Sequence, residues 1–221
     1  ATRVNSQGLI EDMQILSGNL VSNGDFSQEG SELITNGSFD TDSDWVKTSQ
    51  VTIENGIANI VSNDGSFQLL GQNNVVTTGK YYVLTYTIVS SNSGSLKFSS
   101  LGQINSTIGT HKIYFVATET AINIARNSGI TDISIDNVSV KEVGQDWTVT
   151  DSDANNYVVF NGSTARLKFL NTSPITSLET SFVMTAGKKY KLTVDVLTVT
   201  SGGIKVDGAG ISETFNVAGI T

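Results

Sequence analysis

One histidine, no cysteine and a loop of three alternate aspartates are the first places to look for chemistry in this chain. His111 follows Gly109-Thr110 and precedes the apolar run Ile113-Tyr114-Phe115. A catalytic histidine needs a nucleophile to deprotonate, and the sequence offers neither a thiol nor a Gly-x-Ser-x-Gly elbow. His111 is therefore expected to be an exposed residue at the start of a strand. Asp40, Asp42 and Asp44 lie between Phe39 and Trp45, where short carboxylates ordinarily solvate a turn. Glycoside hydrolysis requires two facing carboxyl groups about 5 Å or about 6.5–9.5 Å apart, a geometry that loop spacing does not specify. The chain is not expected to be an enzyme.

Binding chemistry is the second possibility. A sugar ring stacks on an aromatic face while amides and carboxylates pair with its hydroxyls. Tyr81 falls on the outer side of an alternating segment, and Gln68, between Phe67 and Leu69, is expected to point outward as well. Trp45 is the third candidate, although a Trp that opens a strand beside a core more often packs inward.

The elements that would position these residues form a repeat. Gly79-Lys80-Tyr81-Tyr82-Val83-Leu84-Thr85-Tyr86 aligns with Gly187-Lys188-Lys189-Tyr190-Lys191-Leu192-Thr193-Val194 at an offset of 108 (187 − 79). Ser93-Gly94-Ser95-Leu96-Lys97-Phe98 aligns with Ser201-Gly202-Gly203-Ile204-Lys205-Val206 at the same offset. Asp44-Trp45 answers to Asp146-Trp147, and Asn55-Gly56 to Asn161-Gly162. Lys189 takes the place of Tyr81, so a ligand site built on Tyr81 is not repeated. The first copy continues through His111–Phe115, Ala121–Ala125 and Ile133–Val140; the second has no counterpart of these before Thr221. The expected organisation is an N-terminal arm or connector over 1–30, a complete module over 31–143 and an incomplete second copy over 144–221, the chain being part of a longer protein.

Within the repeats apolar residues recur at every second position, as in strands with one buried face. Tyr82, Leu84, Tyr86 and Ile88 form one such face, and Tyr190, Leu192, Val194 and Val196 form its counterpart. Tyr81, Thr85 and Thr87 then face solvent. In Ile133-Ser134-Ile135-Asp136-Asn137-Val138-Ser139-Val140 the alternation slips by one, which predicts a β-bulge at Asp136-Asn137. Turn pairs such as Asn55-Gly56, Asp64-Gly65, Ser93-Gly94 and Asp207-Gly208 separate short apolar runs, the spacing of a β-sandwich. Leu9–Leu16 reads as a strand or a brief helix.

Composition agrees with an all-β protein: 21 Gly, 1 Pro and 15% charged residues favour strands and turns over helices. The 38% of apolar residues is too evenly spread for a membrane span. A net charge of −8 without a basic run argues against nucleic acid. The absence of Cys excludes a disulfide frame and a zinc ribbon. No hydrophobic export segment opens the chain at Ala1, which suits a mature secreted protein or, preferably, a virion component released by lysis.

Asn19-Leu20-Val21-Ser22-Asn23-Gly24-Asp25-Phe26 and Glu32-Leu33-Ile34-Thr35-Asn36-Gly37-Ser38-Phe39-Asp40 both resemble the opening of galactose-binding-like, jelly-roll carbohydrate-binding modules of the family 4/9 type. Ile135-Asp136-Asn137-Val138-Ser139-Val140 resembles their last strand, and the resemblance covers roughly residues 32 to 143. Tandem modules of this kind look like those in structural and tail-fibre-like proteins of marine bacteriophages, and Ala1–Glu11 resembles their short leaders. The two Asn-Gly-x-Phe motifs stand 13 residues apart (36 − 23), which departs from the family pattern. The first is therefore not expected to open a module of its own; it is a duplicated opening strand or one that pairs with a neighbouring chain.

The resemblance implies tandem antiparallel jelly-roll modules, the second incomplete. It implies a structural Ca²⁺ shared by the first and last strands, with Asp40 and Asp136 as ligands by position; calcium takes six to eight hard oxygen ligands, many from loop carboxylates. It implies a fibre or capsid-decoration protein on the virion surface, whose partners are other virion proteins, copies of itself in a homo-oligomer such as a trimer, and host-surface glycans. The competing reading is an accessory carbohydrate-binding region of a secreted polysaccharide-degrading enzyme, or a bacterial surface adhesin.

Overall fold

The computed structural model describes residues 2–4, 7–12, 18–99, 101–170, 176–208, 210–216 and 218–220. The chain divides into two compact units, Ala1–Ser181 and Phe182–Thr221, and the division falls inside the segment read as the second copy. All regular structure among the described residues is β, and every strand pair is antiparallel.

In the first unit one nine-stranded sheet carries the principal core, and two long strands, Tyr81–Phe98 and Ile122–Val143, run through most of it. Along its first half Tyr81–Phe98 pairs with Gly109–Val116 on one side and with the 132–142 stretch of Ile122–Val143 on the other. That stretch continues into Ile57–Ser62 and Val51–Glu54. Beyond register shifts between Ser91 and Ser95 on one strand and Arg126 and Asp132 on the other, the same two strands pair Phe98 with Ile124. There they recruit Gly102–Gln103, Leu69–Gln72 and Val46–Lys47. Strand bending at such shifts folds the two halves over each other, the jelly-roll solution to burying both inner faces.

The inward half of the predicted alternation holds in this region. Tyr82, Leu84, Tyr86 and Ile88 are buried as expected; of the alternate positions, Tyr81, Thr85 and Thr87 are half-buried where exposure was expected, and Val83 is buried in a second apolar cluster. Ile133, Ile135, Val138 and Val140 all point inward because the strand bulges between Asp136 and Ser139, with Asn137 at a φ of 51°. Each buried Ile, Leu or Val contributes about 1.5–3 kcal/mol by leaving water. Asn55 and Gly56, at φ values of 55° and 74°, make the tight turn between Val51–Glu54 and Ile57–Ser62. Gly37 has a different reason to lack a side chain: a Cβ there would strike the Val138 carbonyl, so the opening loop lies directly on the last strand.

The N-terminal stretch begins with Thr2–Val4 paired to Ile10–Asp12, so the described part of Leu9–Leu16 is a strand. Met13–Leu16 lie outside the described residues. Glu29–Glu32 joins the end of Ile122–Val143 through the pairs Val143–Glu29 and Lys141–Glu32.

After Val143 the chain forms two small sheets, Thr148–Thr150 with Ser177–Glu179 and Asn156–Phe160 with Ala165–Phe169. Their apolar faces enclose a second cluster: Val143, Val158 and Phe160 with Phe26, Trp147, Val149, Leu167 and Leu178, bordered by Tyr81, Val83 and Tyr114 of the first module.

In the Phe182–Thr221 unit, Ile204–Gly208 forms a hairpin with Ile211–Phe215, and Asp195–Val196 pairs with Gly219–Ile220. The alternating strand expected over 188–196 is reduced to Asp195–Val196, and Tyr190 and Leu192 are 38% and 40% exposed. In the first module the matching strand is held on both edges by 109–116 and 132–142, and the 221 residues hold no second stretch like Ile133–Val140 to supply one of those edges. The local turn nevertheless repeats: the Tyr82 hydroxyl accepts from Thr77 N at 2.9 Å, and the Tyr190 hydroxyl from Thr185 N at 2.7 Å.

Candidate functional site

The three residues proposed for binding a sugar do not share a surface. Trp45 is buried, with its ring 5.2 Å from Phe39 and its indole N–H donating to the Asn36 carbonyl at 2.9 Å. Gln68, expected to point outward, is 2% exposed. Its Oε1 accepts from Thr48 Oγ1 at 2.7 Å and from Gln50 N at 3.3 Å, and its amide donates to Ser66 Oγ at 2.9 Å. The expectation failed on parity, because the inward leucine is Leu70 and not Leu69, so Gln68 shares the buried side. Phe67, on the opposite side, is 54% exposed beneath the Lys97 ammonium.

Tyr81 does stand on the outer side of its strand, but that side is not open. Phe160 meets it edge-on, with ring centroids 4.8 Å apart and planes at 88°. Burial raises the Tyr81 phenol above its ordinary value of 10.0. The period of one strand identifies a side of the sheet; it does not reveal that a following segment covers it.

What remains of the outer face is polar and hydroxyl-rich. Ser134 Oγ donates to Asn59 Oδ1 at 2.7 Å and accepts from Ser90 Oγ at 2.9 Å, while Asn59 Nδ2 donates to Thr52 Oγ1 at 3.4 Å. The result is a ladder of side chains across four strands. Farther along, Thr87 and Thr110 hydroxyls lie 3.0 Å apart and Asn92 Nδ2 donates to Asp132 at 2.9 Å. These groups could pair with the hydroxyls of a polyol. They offer no ring for a pyranose to stack on.

His111, half-buried, packs against Tyr86 at 5.4 Å and donates from Nε2 to the Thr107 carbonyl at 2.7 Å. Asp42 pairs with Lys47, and Asp44 accepts from Ser43 Oγ.

Asp40 and Asp136, the two residues expected to hold calcium, each carry local hydrogen bonds. Asp40 accepts from Ser38 Oγ at 2.7 Å, and Asp136 accepts from the backbone N–H and the side-chain amide of Asn137 at 2.6 and 2.9 Å. No three acidic or histidine side chains converge among the described residues. The first and last strands are tied together by Glu32, which sequence reasoning missed. Its carboxylate accepts from Leu33 N, Ile34 N and Val140 N at 3.1, 2.9 and 2.9 Å, and from Ser139 Oγ at 2.5 Å. Beside it Val138 N donates to the Gly37 carbonyl at 2.9 Å. The only sequence signal for this role is a carboxylate four residues ahead of the Asn-Gly-x-Phe motif.

No family model and no curated protein matches the chain. Among solved structures, a chain described as "CBM4 structure and function" is similar at 16% identity and a TM-score of 0.29, covering 55% of this chain and 99% of its own.

Proposed function

We propose that this chain is a non-enzymatic appendage protein, a fibre or capsid-decoration component of a virion, whose jelly-roll modules act mainly as spacers that display other surfaces. The observation that carries this reading is the fate of Tyr81, Trp45 and Gln68: each is engaged in packing or hydrogen bonding within or between modules, so the groups expected to bind a sugar build the scaffold instead. The virion setting rests on the sequence resemblance to tandem modules of phage structural proteins.

Antibodies raised against the chain should label the surface of phage particles that encode it. Labelling confined to host cells or to a secreted hydrolase would overturn the proposal. A second reading, weak polyol binding, is favoured by the ladder of Thr52, Asn59, Ser134 and Ser90. A glycan array separates the two: spacers retain nothing at micromolar concentration, whereas polyol binding gives retention that Asn59→Ala abolishes.

A further inference from the structure

The tryptophan corner of the first module has a double. At the first corner Phe39 lies 5.2 Å from Trp45 at 42°, Trp45 Nε1 donates to the Asn36 carbonyl at 2.9 Å, and Phe39 N donates to the same carbonyl at 3.2 Å. At the second, Phe26 lies 5.0 Å from Trp147 at 43°, Trp147 Nε1 donates to the Asn23 carbonyl at 2.9 Å, and Phe26 N donates to it at 3.1 Å.

The backbone agrees residue by residue. Asn36, Phe39 and Asp44 have φ values of 54°, 54° and 68°; Asn23, Phe26 and Asp146 have 47°, 56° and 69°. The amide of Asn36 donates to the carbonyl of Ser43, just before Asp44, and the amide of Asn23 donates to the carbonyl of Gln145, just before Asp146, both at 3.0 Å. Each Asn Oδ1 also accepts the N–H five residues on, Thr41 at 3.4 Å and Gln28 at 3.0 Å. Left-handed φ at non-glycine residues is uncommon, so three matching instances in one small motif are a specific signature.

The corners differ in the chain between their halves. Asn and Trp are 9 residues apart in one and 124 in the other, and the excess of 115 (124 − 9) is the length of the segment 29–143. The ends of that segment are neighbours in space, because Glu29 and Val143 are paired across antiparallel strands. Cα atoms of such partners lie roughly 4.5–5.5 Å apart, the condition under which one domain can be inserted into another. At the junction Gly144 has a φ of 72°, and a Cβ there would sit 2.7 Å from the Phe160 ring.

We infer that the second module is discontinuous: residues 19–28 are its opening segment, docked in a cleft formed by Trp147 and Phe160 of the same chain, and residues 29–143 are a complete module inserted into the loop between the opening motif and its tryptophan. The segment 19–28 is thus neither a connector nor a spare first strand of the module that follows it.

The full chain provides the test, because its two indole N–H resonances in proton–nitrogen correlation spectra report one corner each, assigned by the peak that disappears in Trp147→Phe. Phe26→Leu and Phe26→Ala should shift the Trp147 resonance and leave that of Trp45 in place; Phe39→Leu should do the reverse. If Phe26→Ala unfolds the chain, Phe26→Leu, which keeps an apolar side chain, decides alone. A Trp147 resonance that ignores Phe26, or moves only together with that of Trp45, would overturn the inference. So would a shift in isotope-labelled wild-type chains on mixing with an excess of unlabelled Phe26→Ala chains, since the segment would then come from a second copy.

Discussion

The two tryptophan corners use the same local geometry but are closed to different degrees, and the difference separates what a motif does from what its surroundings add. At the first corner Phe39 is 1% exposed, Gly37 presses on the Val138 carbonyl, and Glu32 reaches across to Ser139 and Val140 of the last strand. At the second, Phe26 and Trp147 are only half-buried, and a Cβ on Gly24 would meet nothing nearer than Val21 Cγ1 at 3.4 Å. Asn19 stands where Glu32 stands in the first motif, and it accepts from Val21 N as Glu32 accepts from Ile34 N. The turn is encoded by the motif itself. Closure belongs to the last strand.

The largest effect should come from Phe39→Ala, which removes a fully buried ring and should destabilise the first module by about 3–5 kcal/mol, measured by urea unfolding. Phe26→Ala should cost roughly half as much, because cavity cost follows burial. Equal losses would mean that closure adds nothing. Glu32→Ala should come next, at about 1–3 kcal/mol, by leaving Val140 N and its neighbours without their acceptor. Its urea midpoint should fall while Asn19→Ala moves little, and chelator or added Ca²⁺ should leave both unchanged. Gln68→Ala should cost a similar amount by taking from Gln50 N its acceptor and leaving Thr48 Oγ1 with only its bonds to Leu69.

The smallest effect is electrostatic and lies at the seam where the inserted segment begins. Partial burial works to raise the Glu29 carboxyl, but Lys141 at 3.2 Å and Lys112 at 3.3 Å outweigh it and hold the group below its ordinary 4.5. A carboxylate held low in the folded state stabilises it above pH 4.5, and that contribution is lost as pH falls below this value. Melting of the wild type should therefore decline more steeply than that of Glu29→Gln below about pH 4.5. The difference should stay within about 0.2–1 kcal/mol, the range of exposed ion pairs.

Much of the first module was legible in the sequence because its strands alternate cleanly: the inward set of Tyr82, Leu84, Tyr86 and Ile88, the Asn55-Gly56 turn and the bulge at Asp136-Asn137 follow from period and turn chemistry. The candidate site was not legible in the same way. Gln68 is held by side chains about twenty residues away, and Tyr81 is covered by Phe160, so both depend on contacts that no local pattern carries. The strand expected around Tyr190 failed for the related reason that alternation states a preference for a sheet and cannot supply its neighbours.

The hydrogen bonds from Trp147 to Asn23 and from Asn23 to Gln145 also have a mechanical meaning. They clasp the chain just before Glu29 to the chain just after Val143. A pull applied between residues 18 and 148 is carried by this clasp and by the tilted Phe26 and Trp147 rings, loaded in parallel, while residues 29–143 bear no tension until the clasp gives way. A chain built in this way would keep its inserted module folded under load and hold its length in reserve.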